Sequence, residues 1–306
     1  SVREGKISEK EIDEACRRIL RAKFKLGLFD DPYRYGSEER AKGEIFTAQN
    51  RAFARKVASE SFVLLKNEGS VLPLKKNAKI ALVGPLANAA ENMTGTWSVA
   101  ARHAESVTLL SALQKVNSNT VYAKGSNLAD DPVLEANSTM FGKTLHRDNR
   151  SAAALREEAV RIARSADVIV AAIGESAEIS GEASSRSNIE VPEAQRELLR
   201  ALRATGKPVV VVLFTGRPLA MKWEHENIPA ILNVWFGGSE AGDAIADVLF
   251  GDVNPSGKLT MTFPQNVVPV PLSYAHKYSG RPPAPGNWFS KSRPTYLDVS
   301  NDPLYP

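Results

Sequence analysis

Hydrophobic residues recur along this chain in two rhythms that alternate from about residue 75 onward. Short, mostly aliphatic runs predict strands, and the longer segments between them have apolar positions at helical spacing. The predicted strands are residues 79–83, 120–123, 168–173, 208–214, 230–234 and 259–263. Most of these runs are apolar at every position, which is typical of strands that are covered on both faces.

Helices are predicted between these strands, at residues 110–116, 151–165, 193–205 and 239–250. Strands that alternate with helices favour right-handed crossovers and parallel neighbours in a sheet. The pattern therefore predicts an α/β fold, namely a three-layer α/β sandwich whose mostly parallel sheet has about six strands.

The two ends of the chain follow other patterns. Ser8 and Glu11 have the spacing of a capping box, which predicts a helix that ends near Gly27. A second helix is predicted at residues 47–60, followed by a short apolar strand at 62–65. From about residue 267 the chain is dense in proline and glycine, which predicts an extended tail.

Composition narrows the class of protein. The chain has 306 residues, of which 43% are hydrophobic and 24% charged, as expected of a folded protein with roughly two domains. Its single cysteine excludes an intrachain disulfide and a cysteine zinc site. The net charge of +4 comes from scattered basic residues, which argues against nucleic-acid binding, and no apolar run reaches the ~18 residues of a membrane span. No cofactor is expected, because no strand leads into a dinucleotide-binding glycine motif and the histidines lack metal-ligand spacing.

The loop that follows the strand at 168–173 is the first candidate site, because ligands of open α/β sheets bind beyond the carboxyl ends of strands. This loop is long, extending to residue 191. It contains four glutamates and one basic residue, namely Glu175, Glu178, Glu182, Glu190 and Arg186. Carboxylates among glycines and hydroxyl residues suit a polyol substrate. Glu182 is favoured as a general acid because it follows a glycine in mid-loop, and simple solvation of each glutamate is an equal alternative.

A second long loop follows the strand at 79–83 and extends to residue 108. It contains Trp97 and Arg102. An exposed tryptophan offers a flat surface to the C–H face of a sugar ring. Trp97 and Arg102 are therefore candidate substrate-binding residues, with inward packing of Trp97 as the open alternative.

Several motifs occur in an order that is similar to a known family. They are RRILRAKFKLGLF at 17–29, SFVLLKN at 61–67, KPVV at 207–210, TGRPL at 215–219, GGSEAG at 237–242 and LFGDVNPSGKL at 249–259. The chain resembles the carboxyl-terminal half of family 3 glycoside hydrolases, and most closely the bacterial periplasmic β-glucosidases.

The resemblance implies a retaining β-glucosidase that needs no cofactor and acts on terminal β-D-glucosyl residues of glucosides or oligosaccharides. An aspartate on a barrel domain outside these residues is the implied nucleophile. The segment ISGE at 179–182 is similar to the one that carries the family's acid/base glutamate, so Glu182 is the first candidate and Glu178 the second. Arg186 falls near a commonly basic position and is a candidate substrate contact. Residues 183–185 depart from the family's usual aromatic and acidic pattern.

The resemblance also implies a domain organisation. Residues 1–33 are expected to be the terminal helix and exit of the barrel, 34–74 a linker and the entry to the second domain, 75–266 the sandwich, and 267–306 an extended tail leading to a fibronectin-like domain. The isolated chain is then expected to be inactive, and a periplasmic location is implied. Two further readings stay open: a non-catalytic carbohydrate-binding or assembly module, and a homodimer formed through the apolar positions of the first helix.

Overall fold

The computed structural model describes residues 1–132, 146–268, 272, 296, 298–300 and 302–305. The chain divides into two compact units, Ser1–Asn50 and Arg51–Pro306. Most of the tail predicted at 267–306 lies outside the described residues.

The first unit contains helix α1 (Glu9–Lys25) and helix α2 (Glu38–Glu44). The predicted capping box of α1 is confirmed, because the backbone N–H of Glu11 donates to the Ser8 hydroxyl and the Ser8 N–H donates to the Glu11 carboxylate. No residue of α1 is buried. Helix α2 was not predicted, since seven residues are too few for a clear helical period.

The second unit is built on one six-stranded sheet. Its strands are β1 (Val63–Asn67), β2 (Ile80–Val83), β3 (Thr120–Ala123), β4 (Val168–Gly174), β5 (Val209–Phe214) and β6 (Ala230–Asn233). The strand order is β1-β6-β5-β4-β2-β3, with β1 antiparallel to β6 and every other pair parallel. The predicted mostly parallel sheet is confirmed.

Helices cover both faces of this sheet. They are α3 (Ala48–Ser61), α4 (Ala90–Met93), α5 (Leu109–Val116), α6 (Ala152–Arg164), α7 (Glu193–Arg203), α8 (Lys222–Asn227) and α9 (Ala241–Phe250). Alternate residues of each central strand enter different cores: Val210 and Val212 pack with α5 and α9, whereas Val209 and Val211 pack with α6 and α7. Burial on both faces explains why these strands are apolar at every position.

One predicted strand is wrong. Residues 259–263 form no strand, and the sixth place in the sheet belongs to β1, which was predicted as a short strand at 62–65 apart from the six strands of the sandwich. Within 259–263 only Phe263 is fully buried, and Met261 is 62% exposed. Pro264 follows and has no N–H for a sheet ladder, and within the described part of the chain it makes only an isolated bridge, to Pro303.

The strand order places a switch point between β2 and β4. From β2 the chain crosses to β3 on one side, and it then returns to β4 on the other side of β2. The loops after β2 and β4 therefore leave the sheet in opposite directions, at the edge where open α/β sheets usually bind ligands. Along the ranges described above, none of the helices combines the length and apolarity needed to cross a bilayer.

Candidate functional site

The two loops nominated from the sequence meet at the switch point between β2 and β4. Asn92 and Thr96 belong to the loop after β2, and both are buried. The Asn92 side-chain oxygen accepts a hydrogen bond from the backbone N–H of Ala177 at 2.7 Å. The Thr96 hydroxyl contacts the carbonyl oxygens of Ala177 and Ser180. Buried polar groups of one loop therefore fix the other.

Glu182 lies at the tip of a tight turn. Gly181 before it has φ 119° and Ala183 after it has φ 55°, both in the left-handed half of conformational space. An alanine seldom adopts such a φ, so neighbouring contacts must stabilise the turn. The Ser184 hydroxyl lies 3.0 Å from the carbonyl oxygen of Glu178 and 3.1 Å from that of Glu182. Glu182 is exposed, and within the described ranges no cationic side chain pairs with its carboxylate.

Glu175 has a different environment, although it belongs to the same loop. Its side chain is 0% exposed at the carboxyl end of β4. The carboxylate accepts hydrogen bonds from Arg186 Nη1 at 2.7 Å, from Arg217 Nε at 3.2 Å and from the Thr215 hydroxyl at 3.0 Å. Arg186 also donates through Nη2 to the carbonyl oxygen of Glu190 at 3.2 Å. The guanidinium of Arg186 thus binds the loop itself, and its predicted contact with substrate stays a prediction.

Arg217 connects this buried carboxylate to the turn that carries Glu182. Its Nη2 donates to the carbonyl oxygens of Ile179 at 2.6 Å and Ser184 at 2.7 Å. These two carbonyl groups lie three residues before and two residues after Glu182. One guanidinium therefore holds both ends of the turn.

The remaining two glutamates of the loop are less accessible. Glu178 is only 6% exposed and lies within a single 3-10 turn. Glu190 pairs with Arg196 at 3.3 Å. Of the four candidates, Glu182 alone combines exposure with a position at the tip of the turn, so it is the most accessible of them to a ligand.

The predicted sugar contacts from the loop after β2 are both at the surface. Trp97 is 69% exposed, so the inward packing that the sequence left open does not occur. Thr96 and Gly181 lie close together, because an added Cβ on Gly181 would be 3.1 Å from Thr96 Cβ. Trp97 directly follows Thr96 and Glu182 directly follows Gly181, so both candidates lie next to this contact. Arg102 pairs with Glu105 at 3.2 Å on the surface, and no contact among the described residues joins it to the Glu182 turn.

Sequence reasoning missed the residues that hold the loop in place. Thr215 and Arg217 lie one and three residues after β5, the neighbour of β4, and Asn92 and Thr96 lie in a loop that was already nominated. The adjacency of β4 and β5 was the missing signal, because carboxyl ends of neighbouring parallel strands lie at one edge of a sheet. Within the described part of the chain, no group of three or more His, Cys, Asp or Glu side chains could hold a metal ion.

Comparison with known proteins gives consistent matches over this chain. The chain is 44% identical to the periplasmic beta-glucosidase of Salmonella typhimurium, over 100% of the chain and 40% of that protein. It is 36% identical to a beta-xylosidase of Formosa agariphila, over 97% of the chain and 38% of that protein. The crystal structure of a mutant beta-glucosidase from Listeria innocua in complex with laminaribiose matches with a TM-score of 0.86 and 38% identity, over 100% of this chain and 39% of that one.

The chain therefore spans about 40% of the length of these relatives. The family model described as the glycosyl hydrolase family 3 C-terminal domain matches residues 62–306, which include both loops and the turn of Glu182. The resemblance expected from the motifs is confirmed, and the chain belongs to the glycosyl hydrolase family 3 C-terminal domain family.

Proposed function

We propose that this chain supplies the general acid/base of a retaining β-glycosidase, and that Glu182 is that residue. The observation that carries the proposal is the position of Glu182, exposed at the tip of a braced turn beside the switch point of the sheet. The names of the relatives, beta-glucosidases and a beta-xylosidase, support the reaction class.

In the first step, protonated Glu182 donates its proton to the glycosidic oxygen while the bond from C1 to that oxygen breaks, and the electron pair stays on the departing oxygen. A carboxylate on the opposite face bonds to C1. In the second step, the Glu182 carboxylate takes a proton from water, the water oxygen bonds to C1, and the ester bond to the nucleophile breaks. Both steps need the same side chain within hydrogen-bonding reach of one oxygen atom.

We infer that the nucleophile is an aspartate on a barrel domain of the same parent chain. Retaining chemistry needs the two carboxyl groups about 5 to 5.5 Å apart. In the described residues, the other carboxylates of the loop are buried or paired, which leaves none beside Glu182 in a suitable environment. A second domain facing the turn would supply it.

Trp97 and Arg102 are proposed to contact the substrate from the loop after β2. The exposed indole offers a flat apolar face to a sugar ring, and the guanidinium offers donors to hydroxyl groups. Terminal β-D-glucosyl residues are the proposed substrate, and a β-xyloside is the alternative that the Formosa relative supports. A periplasmic location is proposed from the name of the Salmonella relative.

The test uses the parent enzyme that contains this chain together with its barrel. In Glu182→Ala, kcat/KM for phenyl β-glucoside or cellobiose should fall by ~10²- to 10⁴-fold, because these leaving groups need a proton. The 2,4-dinitrophenyl glucoside needs none, so its kcat/KM should change far less. Added azide should restore turnover of that activated substrate as glucosyl azide, since azide attacks C1 without a general base.

Glu178→Gln is the matched control, because it removes a carboxylate of the same loop. It should leave the dependence on the leaving group unchanged. The reverse result, with the pattern in Glu178→Gln and full activity in Glu182→Ala, would move the role to Glu178 and reject the proposal.

A further inference from the structure

The loop that carries Glu182 is bound to the scaffold through one buried carboxylate. Glu175 is 0% exposed and is bound by two guanidinium groups and one hydroxyl group. A carboxylate without solvent is costly unless its lone pairs are satisfied, so these three donors are what makes its burial tolerable. Glu175 therefore acts as a fixed anchor at the end of β4.

Of these three donors, Arg217 alone also contacts both ends of the turn among the residues that the structure describes. It lies three positions after the last residue of β5, and its side chain is 21% exposed. Nε bonds to the anchor, while Nη2 bonds to the carbonyl oxygens of Ile179 and Ser184. A planar guanidinium directs its N–H groups in fixed directions, so it can bind these three acceptors at once in a way that a lysine ammonium cannot reproduce.

The turn needs such support. Ala183 has φ 55°, and Glu182 at the tip is exposed. If the carbonyl groups of Ile179 and Ser184 lost their shared donor, the turn would relax toward conformations that an alanine prefers. The carboxyl group of Glu182 would then move away from the oxygen it must protonate.

We propose that Arg217 is a positioning residue for the acid/base, and that the Glu175 anchor fixes Arg217 in turn. This inference rests on the proposed function of Glu182. Arg217 touches neither the substrate nor the reacting atoms. It acts by holding the carboxyl group of Glu182 in the position and orientation that proton transfer requires.

A merely structural role makes a different prediction from a positioning role. Partial misfolding lowers kcat/KM for all substrates by the same factor, because it lowers the fraction of active enzyme. Misplacement of the acid/base lowers kcat/KM in proportion to how much the leaving group needs a proton. The dependence of kcat/KM on the leaving group therefore separates the two roles.

The experiment measures kcat/KM of the parent enzyme on a series of aryl β-glucosides, from 2,4-dinitrophenyl to phenyl. In Arg217→Lys, the value for the phenyl glucoside should fall by about 10- to 100-fold, since a displacement near 1 Å costs up to ~10²-fold. The value for the dinitrophenyl glucoside should fall by no more than about threefold. Combined with Glu182→Ala, Arg217→Lys should add almost nothing, because the group that it positions is gone.

Arg156→Lys is the matched control. Arg156 is 29% exposed and pairs with Glu197 at 2.6 Å between α6 and α7, away from the turn. It should leave the slope of the leaving-group series unchanged. If Arg217→Lys does not fold, Thr215→Val removes one bond to the anchor and should give a smaller loss, about three- to tenfold, in the same direction.

Equal loss across the whole series, or full additivity with Glu182→Ala, would overturn the positioning role. If Glu182→Ala itself shows no dependence on the leaving group, the proposed function fails. If Glu182→Ala shows that dependence and neither Arg217→Lys nor Thr215→Val does, only the present inference fails.

Discussion

Glu175, Glu178, Glu182 and Glu190 carry the same side chain within one loop, yet the fold gives each a different environment. Glu175 is buried and binds two arginines, Glu178 is buried, and Glu190 pairs with Arg196. Glu182 is exposed. Because a carboxyl group can exchange protons with a substrate only where the substrate can reach it, exposure together with a braced backbone distinguishes the acid/base candidate from its neighbours.

Glu224 in α8 shows what burial does to a carboxyl group outside the site. The side chain is 0% exposed and lies 3.1 Å from Arg196 Nε. Burial raises the pKa of Glu224 above its ordinary value of 4.5, and the opposing attraction of Arg196 is smaller. The folded chain therefore holds this proton to a higher pH than the unfolded chain does.

This shift predicts a pH-dependent stability. As pH rises from 4.5 toward the raised pKa, the unfolded chain loses the proton of Glu224 while the folded chain keeps it, so stability falls. In Glu224→Gln the group stays neutral, and the difference in Tm, variant minus parent, should become more positive from pH 4 to pH 7. Thermal unfolding of this chain at a series of pH values measures it. A difference that is flat or falls with pH would contradict the shift.

At the scale of strands and loops, neighbouring strand ends bring three loops together. The carboxyl ends of β2, β4 and β5 each release a loop, and the three loops contribute Thr96, Glu182 and Arg217 to one cluster. At the end of β4 the chain must turn sharply beside β5. Gly174 makes this turn at φ 126°, and an added Cβ would lie 1.9 Å from the carbonyl oxygen of Phe214.

Gly174→Ala should therefore destabilise the sheet at this end by at least about 2 kcal/mol, because the φ is strained and the Cβ meets backbone that cannot move aside. Gly206→Ala is the control: φ is 75°, but nothing lies within 4 Å of the added Cβ. It should cost about 1 kcal/mol or less. Urea unfolding gives both free energies, and equal losses would show that the contact with Phe214 is unimportant.

At the scale of the whole molecule, this chain carries the proposed acid/base side of an active site. Its second unit holds the braced Glu182 turn and the exposed Trp97, and the chain spans about 40% of the length of the relatives it matches. General acid/base assistance contributes typically ~10²- to 10⁴-fold, which is small beside the total acceleration of an enzyme. If the nucleophile lies on another domain, as proposed, this turn by itself supplies only the smaller part of the catalytic power.

The 306-residue chain alone should hydrolyse no aryl β-glucoside at a measurable rate. Calorimetry should find only weak binding of cellobiose or laminaribiose, with a Kd of about 1 mM or weaker, since half of the proposed pocket is absent. Turnover by the pure chain that disappears in Glu182→Ala would refute this expectation. Binding with a Kd near ~10 μM would favour the non-catalytic carbohydrate-binding module instead.

The sequence by itself determined which segments form the central sheet of this protein and that helices cover both of its faces. Apolar runs at every position require cover on two faces, so 168–173 and 208–214 were recognisable as central strands, and the motifs identified the family. The mid-loop position of Glu182 could likewise be recognised from the sequence alone. The strand at 259–263 was wrong because one buried residue, Phe263, and a following proline cannot sustain a ladder.

Tertiary structure decided which groups meet. Nothing in the sequence states that β5 lies beside β4, and only that adjacency brings Arg217 to Glu175, 42 residues earlier in the chain. The reason is physical: hydrophobic periodicity reports the burial of each segment against some neighbour, whereas hydrogen-bond geometry depends on which neighbour it is. The sequence therefore determined where the acid/base candidate lies in the chain, and the packing of three strand ends determined what holds it.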